Sequence, residues 1–157
     1  MTVPTLPVKE YQFWPWLFPI TYVIHIAEEL YGGEGYSAYL ERLRGIHITH
    51  GKFMLAQGVG LVLMVFGILV ARRLNFPNLF NVVLGTTVLV NSLTHTVQTF
   101  YHGEYVPGLV TGLLIWLPLG LATLVRFKKA LSTRRYLLAI ALGIGINVLI
   151  ELLIATS

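Results

Sequence analysis

The sequence predicts an all-α membrane protein, a single domain over residues 1–157 that folds as an integral bundle of five transmembrane helices. The first reason is composition, because 55% of the residues are hydrophobic and 11% are charged, whereas soluble domains carry about 25% charged residues. The second is that five segments are apolar enough to cross a bilayer. The third is that Lys and Arg gather in the short connections between these segments, as in membrane proteins.

Each predicted helix contains about 20 mostly apolar residues, the length that crosses the hydrocarbon core. Trp14 and Trp16 at the start of the first span, and Tyr101 and Tyr105 at the end of the third, are typical of interfacial aromatic belts. Pro107 begins the fourth span, where its missing N–H costs no hydrogen bond. The second and fifth spans are predicted from their apolarity alone. The five spans cover residues 13–31, 52–71, 78–102, 107–127 and 135–155.

The distribution of basic residues predicts the orientation, since cytoplasmic connections of membrane proteins are enriched in Lys and Arg. Eight basic residues lie near the N-terminus or after spans two and four: Lys9, Arg72, Arg73, Arg126, Lys128, Lys129, Arg134 and Arg135. Three lie on the opposite side: Arg42, Arg44 and Lys52. We therefore expect a multi-pass protein with its N-terminus in the cytoplasm and its C-terminus outside.

Composition also excludes several classes of function. The chain has no cysteine, which excludes disulfides, thiolate metal sites and cysteine nucleophiles. A net charge of +4 would suggest nucleic-acid binding in a soluble protein, but here the basic residues belong to the connections between spans. No nucleic-acid partner is expected, and a homo-oligomer remains open.

Three of the predicted spans carry polar residues at helical spacing in the outer half of the bilayer. His25, Glu28 and Glu29 are related by i, i+3 and i+4, so they project from one side of the first span. Spans three and five carry polar pairs four residues apart: Asn91 with His95, and Asn147 with Glu151. A rise of ~1.5 Å per residue puts these groups at a common depth. Ionisable residues rarely face lipid, so we expect the three stripes to face one another.

Two adjacent carboxylates in a membrane need a cation, a shared proton or a basic partner, and no Lys or Arg lies in the interior of a span. A divalent transition metal would meet this need. His and Glu at this spacing resemble the ligands of di-iron bundles and also suit zinc, which we favour over iron. The predicted metal ligands are His25, Glu28, Glu29 and His95, with His50 or Glu151 completing the set.

Three short motifs carry a resemblance to a known family. The stretches HIAEE (25–29), NSLTH (91–95) and YVPG (105–108) resemble the bacterial membrane proteins named for their HXXEE motif, over most of the chain from span one to span four. That family has no characterised function, and its His and Glu residues imply a metal-dependent activity. The resemblance implies these shared positions: His25, Glu28, Glu29, Asn91 and His95. It gives no role to the following residues: His47, His50, His102 and Glu151.

Two classes of function would explain this cluster of His and Glu residues, whereas a third, a pure assembly or regulatory subunit, would not explain its energetic cost. The first is a membrane metalloenzyme acting on a lipid or another apolar molecule, by hydrolysis or hydration with zinc or by oxygen-dependent oxidation with two irons. Glu29 would be a ligand or the general base, and Asn91 would orient a ligand or stabilise an oxyanion. The alternative is a non-enzymatic transporter or ion-binding protein whose carboxylates carry protons or a cation. Both interpretations place the protein in the bacterial cytoplasmic membrane.

Overall fold

A computed structural model of the chain describes residues 13–155. Within this range the protein is helical and contains no strand, which confirms the all-α prediction. A 3-10 turn at Trp14–Trp16 leads into the first helix. The six helices are α1 (Leu17–Tyr31), α2 (Tyr36–Arg44), α3 (His50–Arg73), α4 (Pro77–His102), α5 (Leu109–Ala130) and α6 (Thr133–Ala155).

The helix α4 lies at the centre of the bundle and packs mainly along α5 and α6. Glycines permit the close approach of these helices. A Cβ atom on Gly120 of α5 would lie 2.8 Å from the carbonyl oxygen of Gly85 on α4, and one on Gly143 of α6 would lie 2.8 Å from the carbonyl oxygen of Val83. Real Cβ atoms do not approach backbone oxygens this closely, so a larger residue at either glycine would force the helices apart.

Among the described residues, three of the five predicted spans are both long enough and apolar enough to cross a bilayer: α3, α5 and α6. With 15 residues, α1 rises about 22 Å, less than the ~30 Å hydrocarbon core. With 26 residues, α4 is long enough, but polar side chains along it make it less apolar. Several of these, including Asn81, Thr86 and Ser92, are buried among the other helices, and a shielded helix does not need an apolar surface.

The three qualifying helices carry much of their apolar surface on the outside of the bundle. Only 11% of the most apolar stretch of α3 is buried within the protein, with 22% for α5 and 17% for α6. Soluble monomers rarely expose contiguous apolar surface on this scale. These helices therefore indicate a membrane protein, in agreement with the composition.

The two ends of the bundle differ in charge. One end, where α3 and α5 finish and α4 and α6 begin, carries these basic residues: Arg72, Arg73, Arg126, Lys128, Lys129, Arg134 and Arg135. Every acidic residue that the structure describes lies toward the opposite end. There Arg42 donates to Glu34 (Nε–Oε1 3.0 Å) and to Glu104 (2.7 Å), and Arg44 pairs with Glu151 (3.0 Å). The hydrogen bonds from Arg42 hold the pKa of Glu34 below its ordinary value.

Candidate metal centre

The motif from His25 to Glu29 occupies the last turns of α1, and helix geometry separates its two carboxylates. At 3.6 residues per turn, Glu29 shares the face of His25, whereas Glu28 is rotated by about 100° from Glu29. His25 and Glu29 are accordingly turned into the bundle, with exposed fractions of 1% and 5%. Glu28 is partly exposed, on the flank next to the start of α5. The adjacent glutamates therefore lie in different environments.

Glu29 lies between two imidazoles from different helices. Its Oε1 is 3.5 Å from Nε2 of His25 and 3.3 Å from Nε2 of His95 on α4. All three side chains are buried, and one potential ligand atom from each lies within 4.8 Å of the other two. Ligands placed 2.0–2.2 Å from a tetrahedral ion lie about 3.3–3.6 Å apart, so both Glu29 distances match such a site. This cluster can hold a metal ion.

The second carboxylate oxygen of Glu29 is held by a neighbour on α3. The side-chain amide of Gln57 donates to Oε2 (2.6 Å), and the hydroxyl of Tyr22 donates to the amide oxygen of Gln57 (2.6 Å). Because Tyr22 fixes which end of the amide faces Glu29, the carboxylate keeps Oε1 directed at the imidazoles. Partners of this kind orient the ligands of metal sites and tune their affinity.

Aromatic rings and one glycine enclose the imidazoles. Trp116 stacks on His25 with 3.7 Å between ring centroids, and Tyr36 of α2 lies against His95 at 5.3 Å. On another side, a Cβ atom on Gly108 would lie 2.7 Å from Cε1 of His95 and 3.0 Å from Cε1 of His25. Gly108 also has a φ of +97°, which favours glycine. The imidazoles are thus fixed by packing as well as by polar contacts.

The position of Trp116 follows from a local irregularity in α5. The residues Gly112–Trp116 form a π-helical turn, and Pro118 lies two residues after its end. Proline has no N–H to donate to the carbonyl four residues earlier, that of Leu114, so regular α-helical bonding is interrupted in this turn. Such π turns frequently occur at functional sites, and this one carries the ring that covers His25.

Glu28 does not join the cluster, although the sequence predicted it as a metal ligand. Its carboxylate accepts hydrogen bonds from the hydroxyl of Tyr105 (2.6 Å) and from the backbone N–H groups of Val110 (2.8 Å) and Thr111 (2.6 Å). It also accepts one from the hydroxyl of Thr111. These donors occupy both oxygens, and they lie in and before the first turn of α5.

Two further predicted ligands also lie apart from the cluster, and the remaining polar residues singled out in the sequence have other surroundings. His50 is the exposed first residue of α3, and Glu151 pairs with Arg44 at the surface. Asn91 lies one turn before His95 with its Oδ1 buried and without a partner. Asn147 donates to backbone carbonyls of α4 and α6. Two further histidines lie toward the surface: His47, which pairs with Glu41, and His102, whose ring contacts Tyr39 and Tyr101.

Five residues that contact the cluster were not assigned from the sequence: Tyr36, Gln57, Gly108, Thr111 and Trp116. The sequence contains features that could have singled out three of these residues. Gln57 is an isolated amide in an apolar span, and the Pro-Gly pair ending at Gly108 is typical of a turn. Trp116 in the middle of a span departs from the interfacial preference of tryptophan. None of these signals identifies the partner, which depends on how the helices pack.

Comparison with known proteins adds one finding. A family model described as "Protein of unknown function with HXXEE motif" matches residues 16–123. The matched stretch contains α1 to α4 and residues 109–123 of α5, and thus every residue of the cluster and its contacts described above. No curated protein and no solved structure matches the chain.

Proposed function

The chain belongs to the family of proteins of unknown function with an HXXEE motif, and we propose that it is a membrane metalloenzyme. His25, Glu29 and His95 would bind one divalent transition metal ion. The observation that carries the proposal is the convergence of these three buried side chains from α1 and α4. Among the described residues, Glu29 faces these two imidazoles and pairs with no Lys or Arg, so a cation would compensate its buried charge.

The donor set favours a catalytic ion over a structural one. Structural zinc sites are four-coordinate and rich in cysteine, whereas two His and one Glu leave a fourth position for water or substrate. A bound ion would supply Lewis-acid polarisation and activation of water, the chemistry of hydrolysis and hydration. Glu29 acts as a ligand in this scheme, because Oε1 lies between the imidazoles. The one three-residue cluster that residues 13–155 contain supports zinc over a di-iron site, which requires six His and Glu ligands.

The surroundings of the cluster support an apolar substrate. The cluster lies near the end of the bundle that carries the acidic residues, since Glu29 is two residues from the end of α1 and His95 seven from the end of α4. Around it, α3 and α6 expose apolar side chains. A membrane lipid or another apolar molecule could therefore approach laterally, past the helix α2 that covers His95 with Tyr36.

For the topology, we propose five crossings with the basic end in the cytoplasm. The helices α3 and α5 both finish at the basic end, so α4 between them has to return through the same thickness, shielded by its neighbours. Seven basic residues at that end agree with the preference of Lys and Arg for the cytoplasmic side. Lys9, which belonged to the sequence-based count, lies outside the described residues.

Labelling of single cysteines is expected to place Ala38 and Ser132 on opposite sides of the membrane. Both positions are exposed, and the chain has no cysteine of its own. In Ala38→Cys and Ser132→Cys, labelling of the single thiol therefore reports the side of the membrane on which that position lies. An impermeant maleimide applied to intact cells should label Ala38→Cys, and Ser132→Cys should react only after permeabilisation. Equal labelling of both from outside would contradict the proposed orientation.

Protein purified in detergent without chelator is expected to contain about one transition metal ion per chain, as measured by inductively coupled plasma mass spectrometry, because one cluster supplies three ligands. His102→Ala is the matched control, since it removes an exposed histidine outside the cluster and should leave the metal content unchanged. Lipid extracts from cells with and without the protein, compared by mass spectrometry, test for turnover. A metal-free protein that takes up no added Zn²⁺, Fe²⁺ or Mn²⁺ would exclude the proposed function.

A further inference from the structure

Glu28, Thr111 and His25 form a continuous chain of hydrogen-bonding groups beside the cluster. The hydroxyl of Thr111 contacts Glu28 Oε2 and is 2.7 Å from Nδ1 of His25. The other nitrogen of His25, Nε2, is directed toward Glu29 and has no hydrogen-bond partner in the described part of the chain. Glu28, the neighbour of Glu29 in the motif, is thus connected to His25 by the hydroxyl of Thr111.

The direction of each hydrogen bond in this chain follows from the number of protons available. Three groups besides the Thr111 hydroxyl donate to Glu28: the hydroxyl of Tyr105 and the N–H groups of Val110 and Thr111. A carboxylate surrounded by donors is ionised and only accepts. The single hydroxyl proton of Thr111 therefore points at Glu28. Its oxygen can then only accept from His25, which requires the proton of the imidazole to be on Nδ1.

We infer that Glu28 and Thr111 are positioning residues that hold neutral His25 in the Nδ1–H tautomer and leave the Nε2 lone pair free beside Glu29. The two adjacent carboxylates of the motif then have different roles, since Glu29 binds the ion directly and Glu28 orients a ligand. Only the roles of Nε2 and of Glu29 as metal ligands rest on the proposed function. The tautomer is a property of the metal-free protein.

The backbone supports this inference because Glu28 also fixes the position of Thr111. Gly108 precedes the first turn of α5 and offers no side chain to cap it. The carboxylate of Glu28 takes this role from α1, by accepting from the second and third N–H groups of α5, where a negative charge is favourable. A rotation of α5 that moved Thr111 away from His25 would break these bonds as well.

Nitrogen NMR of the metal-free protein, labelled with ¹⁵N-histidine, tests the tautomer at alkaline pH, where imidazoles are neutral. The wild type should show His25, assigned by its absence in His25→Gln, with the proton on Nδ1. Thr111→Val should lose this preference and bind Zn²⁺ about 10–100-fold more weakly. Thr111→Ser retains a hydroxyl and should restore both properties.

A matched control separates this role from general stabilisation. Thr87→Val removes a partly buried hydroxyl that donates to the carbonyl of Val83 on α4, and it should change neither the tautomer nor the Zn²⁺ affinity. An Nε2–H signal for His25 in the wild type would overturn the inference, as would unchanged Zn²⁺ affinity in Thr111→Val. If Thr111→Val does not fold, the inference is tested by the tautomer of the wild type and by the tautomer and Zn²⁺ affinity of Thr111→Ser. If the protein binds no metal but shows the Nδ1–H signal, the inference about the tautomer is supported and only the proposed function is refuted.

Discussion

Glu29→Gln is expected to lower metal affinity about 10²–10⁴-fold, because removal of one partner from a buried charged group costs about 3–5 kcal/mol. The amide retains the volume and can still contact Gln57, but it carries no charge to offset the cation. In the absence of metal the variant should be at least as stable as the wild type, since an anion buried with two imidazoles has been removed. The measurements are Zn²⁺ affinity and the rise in melting temperature on adding Zn²⁺, which should disappear.

Glu151→Gln is the matched control for this substitution. It makes the same carboxylate-to-amide change toward the same end of the bundle, but at a surface ion pair with Arg44, and such pairs contribute about 0–1 kcal/mol. It should leave metal affinity unchanged. Retention of metal in Glu29→Gln, with turnover lowered ~10²–10⁴-fold, would instead identify Glu29 as the general base.

The same variant separates the enzyme from a transporter. A metalloenzyme predicts that cells expressing wild type and Glu29→Gln differ in a lipid or other apolar metabolite. A transporter predicts identical lipid extracts together with a proton- or cation-driven flux in proteoliposomes that Glu29→Gln abolishes. That second outcome would replace the proposed enzymatic function.

Much of the fold could be predicted from the sequence because apolarity and length depend on local composition. The helices α3, α5 and α6 fall close to predicted spans. The short α1 and the polar α4 depart from this simple rule. For α4 the reason is that several of its polar side chains are buried among the other helices. The helix α2 was not predicted at all: its nine residues are too few to cross a bilayer, and it is held by packing of Tyr36, Tyr39 and Leu40.

The candidate site could be predicted in part for a similar reason. Helical spacing and common depth brought His25, Glu29 and His95 into one hypothesis, and the structure brings these three together. The same reasoning also included Glu28, His50 and Glu151. Depth gives the height of a residue along a helix but not its direction around the axis, and the facing of each helix is determined by long-range packing. A rotation of about 100° between neighbours is sufficient to separate Glu28 from the cluster.

Gly108 shows most clearly how the backbone shapes this site, because no side chain larger than a hydrogen atom fits beside the two imidazoles. A Cβ atom there would lie 2.7 Å from Cε1 of His95 and 3.0 Å from its Nδ1. Neither ring can retreat freely, since Trp116 stacks on His25 and Tyr36 lies against His95. The added atom must therefore displace the imidazoles or the start of α5, and either movement alters the distances to Glu29.

Gly108→Ala is accordingly expected to lower stability by about 1–3 kcal/mol from crowding, in addition to about 1–2 kcal/mol for alanine at positive φ. It should also weaken Zn²⁺ binding at least about tenfold, because the ligand nitrogens move. Gly103→Ala is the matched control: Gly103 has a φ of +69°, and a Cβ atom added to it would have no neighbour within 4 Å, so it incurs the backbone cost alone. Thermal unfolding and Zn²⁺ titration of both variants separate the two contributions. Equal losses of stability, with Zn²⁺ affinity intact in both, would mean that Gly108 serves only the turn and that the imidazoles are positioned without it.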